Sequence, residues 1–234
     1  MNELNLMIKI ISFPSPNYND RPIGVNVDIL VLHYTGMPKT IHALKRMCNP
    51  VAKVSAHYLI DANGQIFQLV SEEKRAWHAG ISSWRGNQNI NDRSIGIELA
   101  NPGHEFGYQK FPKPQIESLI RLAADIILRH AIPARNVVGH SDISPTRKKD
   151  PGEFLDWHEL ALNGIGHFPK NLRTKTTEQI TESNLKSALE IYGYETSNLP
   201  ATIRAFQRHF LPQLFDEKPN QELYKILKIL INNL

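Results

Sequence analysis

The chain has 234 residues, which is enough for one full domain and a smaller second one. Hydrophobic residues make up 41% and charged residues 21% of it, which is typical of a globular protein and excludes a coiled coil, a collagen-like fibre or a disordered chain. The net charge is only +4 and is spread along the chain, so bulk charge favours neither nucleic acid nor a membrane surface as a partner.

Cysteine content and the N-terminal residues bear on the cellular compartment. Cys48 is the single cysteine, which excludes an intrachain disulfide and a zinc site built on several thiolates. The first residues have no basic cluster before a short apolar run, and no small-residue cleavage site follows it, so they do not match a secretory signal. No apolar stretch reaches the length of a transmembrane helix. We therefore expect a cytoplasmic protein without membrane insertion.

The first predicted elements are a strand and a helix. Residues 28–33 form an apolar, strand-forming run that ends in His33. Residues 40–48 place apolar side chains on one helical face, and Thr40 is the predicted N-cap.

A β-hairpin and a further strand come next. The strand-forming runs 54–60 and 65–70 flank Asn63-Gly64, which is a strong hairpin signal. Residues 94–100 alternate apolar and polar side chains in part and predict another strand.

The following segment combines a long helix with a short strand. Apolar residues recur every three or four positions between Pro112 and Pro133, which predicts an amphipathic helix. Residues 136–140 form a short strand that ends in a histidine, and residues 154–162 predict a closing helix. Because strands and helices alternate while the hairpin is antiparallel, the expected class is α/β, with a mixed central β-sheet flanked by helices.

The last part of the chain differs in character. Residues 169–181 are polar and rich in threonine, which is typical of a linker. Residues 182–234 contain three amphipathic segments. We therefore predict a main domain of residues 1–168, a linker of residues 169–181 and a small three-helix domain of residues 182–234.

Histidines at the ends of predicted strands are candidate metal ligands. His33 and His140 each close an apolar strand, and Asp150 lies ten positions after His140 on a loop long enough to fold back. Two imidazoles and one carboxylate are a ligand set of catalytic zinc with an open fourth position. The pattern equally allows one paired histidine, one exposed histidine and a capping aspartate, and Asp142 competes with Asp150 as the ligand.

Glu98 is a candidate general base. It is flanked by apolar residues on the predicted strand 94–100, where a carboxylate is costly to bury. Burial would raise its pKa toward the range that suits proton transfer. An edge strand with Glu98 facing solvent fits the pattern equally well. For His57, which lies on the predicted strand 54–60, the pattern favours a buried imidazole in the core over a role in the site.

Five motifs occur in an order that indicates a family. They are His33-Tyr-Thr, Ser55-Ala-His57-Tyr-Leu-Ile-Asp61, Ala76-Trp77-His78-Ala79-Gly80, Ser94-Ile-Gly-Ile-Glu98-Leu, and Gly139-His140-Ser-Asp-Ile-Ser-Pro145-x-Arg147-Lys148-x-Asp150-Pro151-Gly152. Over about residues 25–168, the chain closely resembles the zinc-dependent N-acetylmuramoyl-L-alanine amidases of the AmpD and AmiD type. The peptidoglycan recognition proteins belong to the same family.

The resemblance implies a site and a reaction. It implies a Zn²⁺ cofactor held by His33, His140 and Asp150. Glu98 would take the proton of the attacking water, and Lys148 would stabilise the oxyanion, although by pattern alone Lys148 is a solvated loop charge. The implied reaction is hydrolysis of the amide between the lactyl group of N-acetylmuramoyl, or 1,6-anhydro-N-acetylmuramoyl, and L-alanine. Peptidoglycan or muropeptide fragments would be the partners.

Substrate contacts are also implied by the motifs. Tyr34, His78 and Trp84 are candidate substrate-binding residues, because aromatic rings beside a site commonly line sugar or peptide pockets. A small core that folds the loop around His78 and Trp84 is an equal alternative. Asp142 would then brace its loop rather than bind metal.

The C-terminal residues resemble a three-helix peptidoglycan-binding domain. The similarity lies in Leu185-x-x-x-Leu189-x-x-x-Gly193-Tyr194 and Thr202-Ile-Arg-Ala-Phe206-Gln207-Arg208, while residues 215–223 depart from the usual Gly-x-x-Asp-x-x-Thr stretch. A wall-binding domain would suggest the periplasm as the alternative location. Two alternative functions are a peptidoglycan-recognition module that binds without cutting and a zinc peptidase that cuts within the stem peptide.

Overall fold

The computed structural model describes residues 9–169 and 180–234. The first eight residues and most of the predicted linker 169–181 lie outside the described residues. The strands are β1 (Ile10–Ser12), β2 (Tyr18–Asp20), β3 (Ile29–Tyr34), β4 (Tyr58–Ile60), β5 (Ile66–Gln68), β6 (Lys74–Ala76), β7 (Ser83–Trp84), β8 (Asn87–Gln88), β9 (Ser94–Leu99) and β10 (Val137–Gly139). The helices are α1 (Thr40–Met47), α2 (Gly103–Phe106), α3 (Lys113–His130), α4 (His140–Ile143), α5 (Trp157–Leu162), α6 (Glu182–Tyr192), α7 (Leu199–Phe210) and α8 (Gln221–Asn232).

A six-stranded sheet organises the fold, in the order β1-β5-β4-β9-β3-β10. The strands β4, β9, β3 and β10 run parallel, whereas β5 pairs with β4 in the antiparallel sense of the predicted hairpin. The mixed sheet and the hairpin are therefore confirmed. The register places His33 of β3 directly beside Glu98 of β9.

The two faces of the sheet pack against different layers. Leu30 and Leu32 of β3 belong to the apolar cluster that contains the buried face of α3. Ile29 and Val31 belong to a second cluster with residues of α6, α7 and α8. Because side chains alternate along a strand, His33 follows Ile29 and Val31 onto the face that the C-terminal helices cover.

The C-terminal helices form at the three predicted segments. Their buried side chains join residues of the sheet and of the loop before β9 in one apolar cluster, through Trp84, Leu189, Phe206 and others. The backbone N–H of Arg85 also donates to the carbonyl of Gly193 at 2.8 Å. The C-terminal helices are thus packed on the sheet. The domain boundaries, with a main domain that ends at residue 168 and a three-helix domain that begins at residue 182, stay a prediction.

Two details differ from the predicted elements. Lys39, not Thr40, is the N-cap of α1, because the Thr40 hydroxyl donates instead to the carboxylate of Asp61. The short strands β1, β2, β6, β7 and β8 have no counterpart among the predicted elements. Within residues 9–169 and 180–234, no helix is both long and apolar enough to cross a bilayer.

Candidate metal centre and active site

Three potential metal ligands meet at the ends of parallel strands. His33 lies at the end of β3, and His140 follows β10 directly. The Nδ1 atom of His33 lies 2.9 Å from Nδ1 of His140 and 3.0 Å from Oδ2 of Asp150. His140 Nδ1 lies 2.9 Å from the same Asp150 oxygen. All three residues are buried, so the predicted ligands form one compact cluster.

The loop between His140 and Asp150 folds back as its length allows. The backbone N–H of Ser141 donates to the carbonyl of Asp150 at 2.8 Å, which returns the chain to its starting point. On the far side of the His140 ring, Nε2 donates to the carbonyl of Ala79 at 3.0 Å. Because neutral imidazole carries one N–H, this bond assigns the lone pair to Nδ1, the atom that faces the cluster.

A chain of hydrogen bonds likewise assigns the lone pair of His33 to Nδ1, the atom that faces the cluster. The Ser94 hydroxyl donates to the carbonyl of Ile90 at 2.6 Å, so its oxygen accepts from Nε2 of His78 at 3.2 Å. His78 Nδ1 is then an acceptor for Nε2 of His33 at 3.1 Å. Gly96 leaves room for the His78 ring, since a Cβ there would lie 2.5 Å from its Cγ.

The protonation states fit a bound cation. Burial, reinforced by the nearby His140, lowers the pKa of His33 to about 4, and burial also holds the pKa of His78 well below its ordinary value. Two imidazole lone pairs and a carboxylate that point at one another repel unless a cation lies between them. The donor set therefore fits a metal ion.

Glu98 lies beside this cluster with a perturbed carboxyl group. The residue is half-buried, and its Oε2 atom is enclosed without a hydrogen-bond partner among the described residues. Burial, and secondly the negative charge of Asp150, raise the pKa of Glu98 to about 8, while Lys148 opposes the shift. A carboxyl group with a pKa near neutrality, next to this candidate metal cluster, is equipped to exchange protons.

This shift predicts a pH dependence of stability in the metal-free protein. The folded chain holds the Glu98 proton more tightly than the unfolded chain between pH 4.5 and about 8, so Glu98 makes the fold less stable as pH rises through this window. Glu98→Gln stays neutral at every pH. We expect its advantage in thermal stability over the native protein to be small near pH 4.5. By pH 8 it should reach about 5 °C, or about 2 kcal/mol after allowance for solvent screening.

Thermal unfolding of chelator-treated protein across this pH range checks the expectation. A difference in Tm between Glu98→Gln and native protein that stays constant with pH would contradict the raised pKa.

The cluster opens into a cleft of about 380 Å³ with a basic rim. The basic side chains that line it are Arg46, Arg147, Lys148 and Lys149. Tyr34 and His104 line it as well, and their side chains are joined by a hydrogen bond of 2.9 Å from the Tyr34 hydroxyl to Nδ1 of His104. Glu98, Glu105 and Asp150 line the same cleft, so it carries charges of both signs, with the basic side chains in slight excess.

Not all of the predicted substrate-binding residues lie at the cleft. Tyr34 and His78 both line the cleft, and His78 is also the hydrogen-bond partner of His33. Trp84 does not reach the cleft: it is 1% exposed and packs edge-on against Tyr192 and Tyr194 after folding. The alternative of a core role therefore describes Trp84 better.

Sequence reasoning missed several residues at the site. His104 received no role from the pattern, yet its Nε2 atom also contacts the carboxylate of Glu153 at 3.2 Å. His209 also received no role, yet its Nδ1 atom donates to Asp142, the residue that the resemblance assigned to bracing its loop and that lies outside the ligand cluster. No spacing rule in the sequence connects residues so far apart.

Comparison with known proteins gives consistent matches. Residues 21–153 match a family model described as N-acetylmuramoyl-L-alanine amidase. The chain is 38% identical over 230 residues to N-acetylmuramoyl-L-alanine amidase AmiD of Escherichia coli, covering 88% of this chain and 82% of that protein. It is 35% identical over 173 residues to 1,6-anhydro-N-acetylmuramyl-L-alanine amidase AmpD of Haemophilus influenzae, covering 66% and 92%.

Solved structures extend the similarity to the whole fold. The complex of Escherichia coli AmiD with anhydro-N-acetylmuramic acid-L-Ala-D-γ-Glu-L-Lys aligns with a TM-score of 0.81 and 35% identity, covering 91% of this chain and 92% of that one. AmpDh3 of Pseudomonas aeruginosa, in complex with anhydromuramic pentapeptide, aligns with a TM-score of 0.82 and 35% identity, covering 91% and 94%.

Proposed function

The chain belongs to the N-acetylmuramoyl-L-alanine amidase family, and from this premise we infer that it hydrolyses the amide bond between the lactyl group of a muramoyl sugar and L-alanine. One observation carries the inference: His33, His140 and Asp150 converge at the sheet edge while Glu98 lies in register beside His33. A ligand cluster and a base on adjacent parallel strands supply both components that amide hydrolysis requires.

Zinc is the ion that we propose for this cluster. Two neutral imidazoles and one carboxylate are a ligand set of catalytic zinc, and the hydrogen bonds to Ala79 and His78 orient both rings toward it. When bound, zinc would polarise the substrate carbonyl and acidify a water molecule. The cleft leaves one side of the cluster open for the substrate.

The protein's own residues then move the protons. Glu98 takes a proton from the attacking water as the new bond forms between that oxygen and the amide carbon. The ammonium group of Lys148 lines the same cleft and stabilises the charge that develops on the carbonyl oxygen. Glu98 returns the proton to the amide nitrogen as the carbon–nitrogen bond breaks, which releases a muramoyl carboxylate and a peptide with a free L-alanine amine.

Lys148 is expected to matter for turnover and not for metal binding. Lys148→Ala should lower kcat by about 10²- to 10³-fold, because one preorganised charge on a developing oxyanion is removed. Its zinc content should stay native. Lys149→Ala is the matched control: Lys149 also lines the cleft but is exposed, so its loss should leave kcat near native even where KM rises.

Steady-state kinetics of the two variants, with metal analysis of the same samples, make the comparison. A Lys148→Ala protein with near-native kcat would remove Lys148 from the mechanism.

Anhydromuramoyl peptides are among the substrates that we propose. The solved relatives carry an anhydro-N-acetylmuramic acid tripeptide and an anhydromuramic pentapeptide, and the basic rim of this cleft suits the carboxylates of a stem peptide. Incubation with a purified anhydromuramoyl tripeptide should release the intact tripeptide, and a chelator should stop the release. Cleavage confined to intact peptidoglycan would contradict this substrate assignment.

A non-catalytic recognition module is the second candidate function. It would need the fold and the cleft without the chemistry. Glu98, Lys148 and the three ligands are all retained around one cleft, which favours the enzyme. Binding of muropeptides by zinc-loaded protein that shows no turnover would favour the module instead.

The cytoplasm stays a prediction for the location of the protein, with the periplasm as the alternative. The two compartments offer different substrates, namely released muropeptides and the intact wall. Fractionation of cells that express the native gene, with compartment markers, distinguishes them.

A further inference from the structure

Asp142 is a buried carboxylate with three hydrogen-bond donors. Its side chain is 1% exposed. Oδ2 accepts from the backbone N–H of Gly139 and from Nδ1 of His209, both at 2.7 Å, and Oδ1 accepts from the hydroxyl of Tyr194 at 2.7 Å. These bonds compensate for the burial of the carboxylate, so loss of one donor leaves part of the group unsatisfied.

Two of these donors come from the C-terminal helices. Tyr194 follows α6, and His209 lies near the end of α7. Both are held firmly: the Tyr194 ring packs edge-on against Trp84 at 5.1 Å, and the His209 ring stacks on Trp157 at 3.7 Å. The C-terminal helices therefore present two fixed donors to a loop of the sheet domain.

The third donor connects Asp142 to the metal centre. The bond from Gly139 closes the first turn of α4, and His140 is the residue that opens this turn. A displacement of Asp142 consequently rotates the turn that sets the direction of the His140 ring. The ring has to keep Nε2 on the carbonyl of Ala79 and Nδ1 in the ligand cluster.

We propose that Tyr194 and His209 are positioning residues of the metal centre, which act through Asp142 to hold His140 in its ligand geometry. The C-terminal helices are then part of the catalytic scaffold, in addition to any binding of peptidoglycan. This inference rests on the proposed metal centre. It concerns residues that neither line the cleft nor belong to the ligand cluster.

Tyr194→Phe tests the inference with a close control in Tyr192→Phe. Both tyrosines are buried, both pack against Trp84, and each would lose one hydroxyl. The Tyr192 hydroxyl contacts Nδ1 of His167 at 3.1 Å instead of Asp142. A merely structural role would thus affect the two variants alike.

Zinc affinity of the full chain, measured by competition with a chromophoric chelator, is the first readout. We expect Tyr194→Phe to weaken zinc binding about 10-fold and Tyr192→Phe to leave it within about 2-fold of native. Asp142→Asn should weaken it at least as much. The double variant Tyr194→Phe/Asp142→Asn should bind zinc no more weakly than Asp142→Asn alone, because both changes break the same connection.

Amide hydrogen exchange of the metal-free chain is the second readout. Exchange within residues 139–150 should be faster in Tyr194→Phe than in Tyr192→Phe. Equal zinc affinity and equal exchange in the two variants, or additive effects of Tyr194→Phe and Asp142→Asn, would overturn the inference. A native chain that binds no zinc would instead overturn the proposed metal centre, and the exchange comparison would still decide whether Tyr194 holds the loop.

Discussion

Replacing Glu98 with glutamine is expected to lower kcat by about 10³-fold while zinc content stays native. Glutamine has nearly the same shape but cannot take a proton from water or return it to the leaving amine. Glu98 is not among the three clustered ligands, so the ion should remain. The ionisation of Glu98 is lost with the carboxyl group, and the corresponding limb of the pH–rate profile should be lost with it.

Glu105→Gln is the control for this change. Glu105 lines the same cleft but is exposed, so its neutral variant should keep near-native turnover. Kinetics on a defined muropeptide, with metal analysis of each sample, give the comparison. If Glu98→Gln turned over at a rate close to native, Glu98 would have no part in the proton transfers.

Replacing Asp150 with alanine is expected to remove the metal itself. The carboxylate is the only anionic member of the described cluster, and its Oδ2 lies within 3.0 Å of both imidazoles. Without it, two neutral imidazoles remain, and we expect a loss of zinc affinity of at least about 10³-fold and no detectable turnover. Metal analysis after dialysis checks this directly.

Asp156→Ala is the matched control for the loss of Asp150. Asp156 caps α5 through the backbone N–H of Glu159 at 2.8 Å, so its loss should cost about 1 kcal/mol of stability and no zinc. One zinc per chain in purified Asp150→Ala would show that another residue completes the site. Asp142 would then be the first candidate, in spite of its three hydrogen-bond donors.

Local patterns in the sequence were sufficient to predict the strands, the hairpin and the helix that position the site. The strand before His33, the Asn63-Gly64 hairpin and the helix after Pro112 each have a strong periodic or turn signal, and each forms close to its expected place. The ends of parallel strands meet at one edge of a sheet, so the convergence of His33 and His140 was also accessible to reasoning. The resemblance to the amidases added Lys148.

The remaining features depend on contacts between distant parts of the chain. The strand β2 has three residues and forms because it pairs with β6, so its own sequence carries little signal. Trp84 resembled a cleft residue within its motif, but its burial depends on Tyr192 and Tyr194, more than a hundred positions later. The contact of His209 with Asp142 spans 67 residues in the same way.

The hydrogen bonds around the ligands show why such contacts matter for function. His33 and His140 are recognisable as candidate metal ligands from their motifs. Their tautomers, however, are set by Ser94 through His78 and by the carbonyl of Ala79. These partners lie on other segments of the chain, and the folded structure was needed to identify them.

The most direct test of the amidase reaction follows the oxygen atom of water. Zinc-loaded protein should cleave an anhydromuramoyl tripeptide in heavy-oxygen water so that mass spectrometry finds the label in the lactyl carboxylate of the sugar. The released peptide should be intact and unlabelled, with a free L-alanine amine, and a chelator should stop the reaction. Label in a carboxylate within the stem peptide, or no cleavage by protein that retains its zinc, would contradict the amidase mechanism.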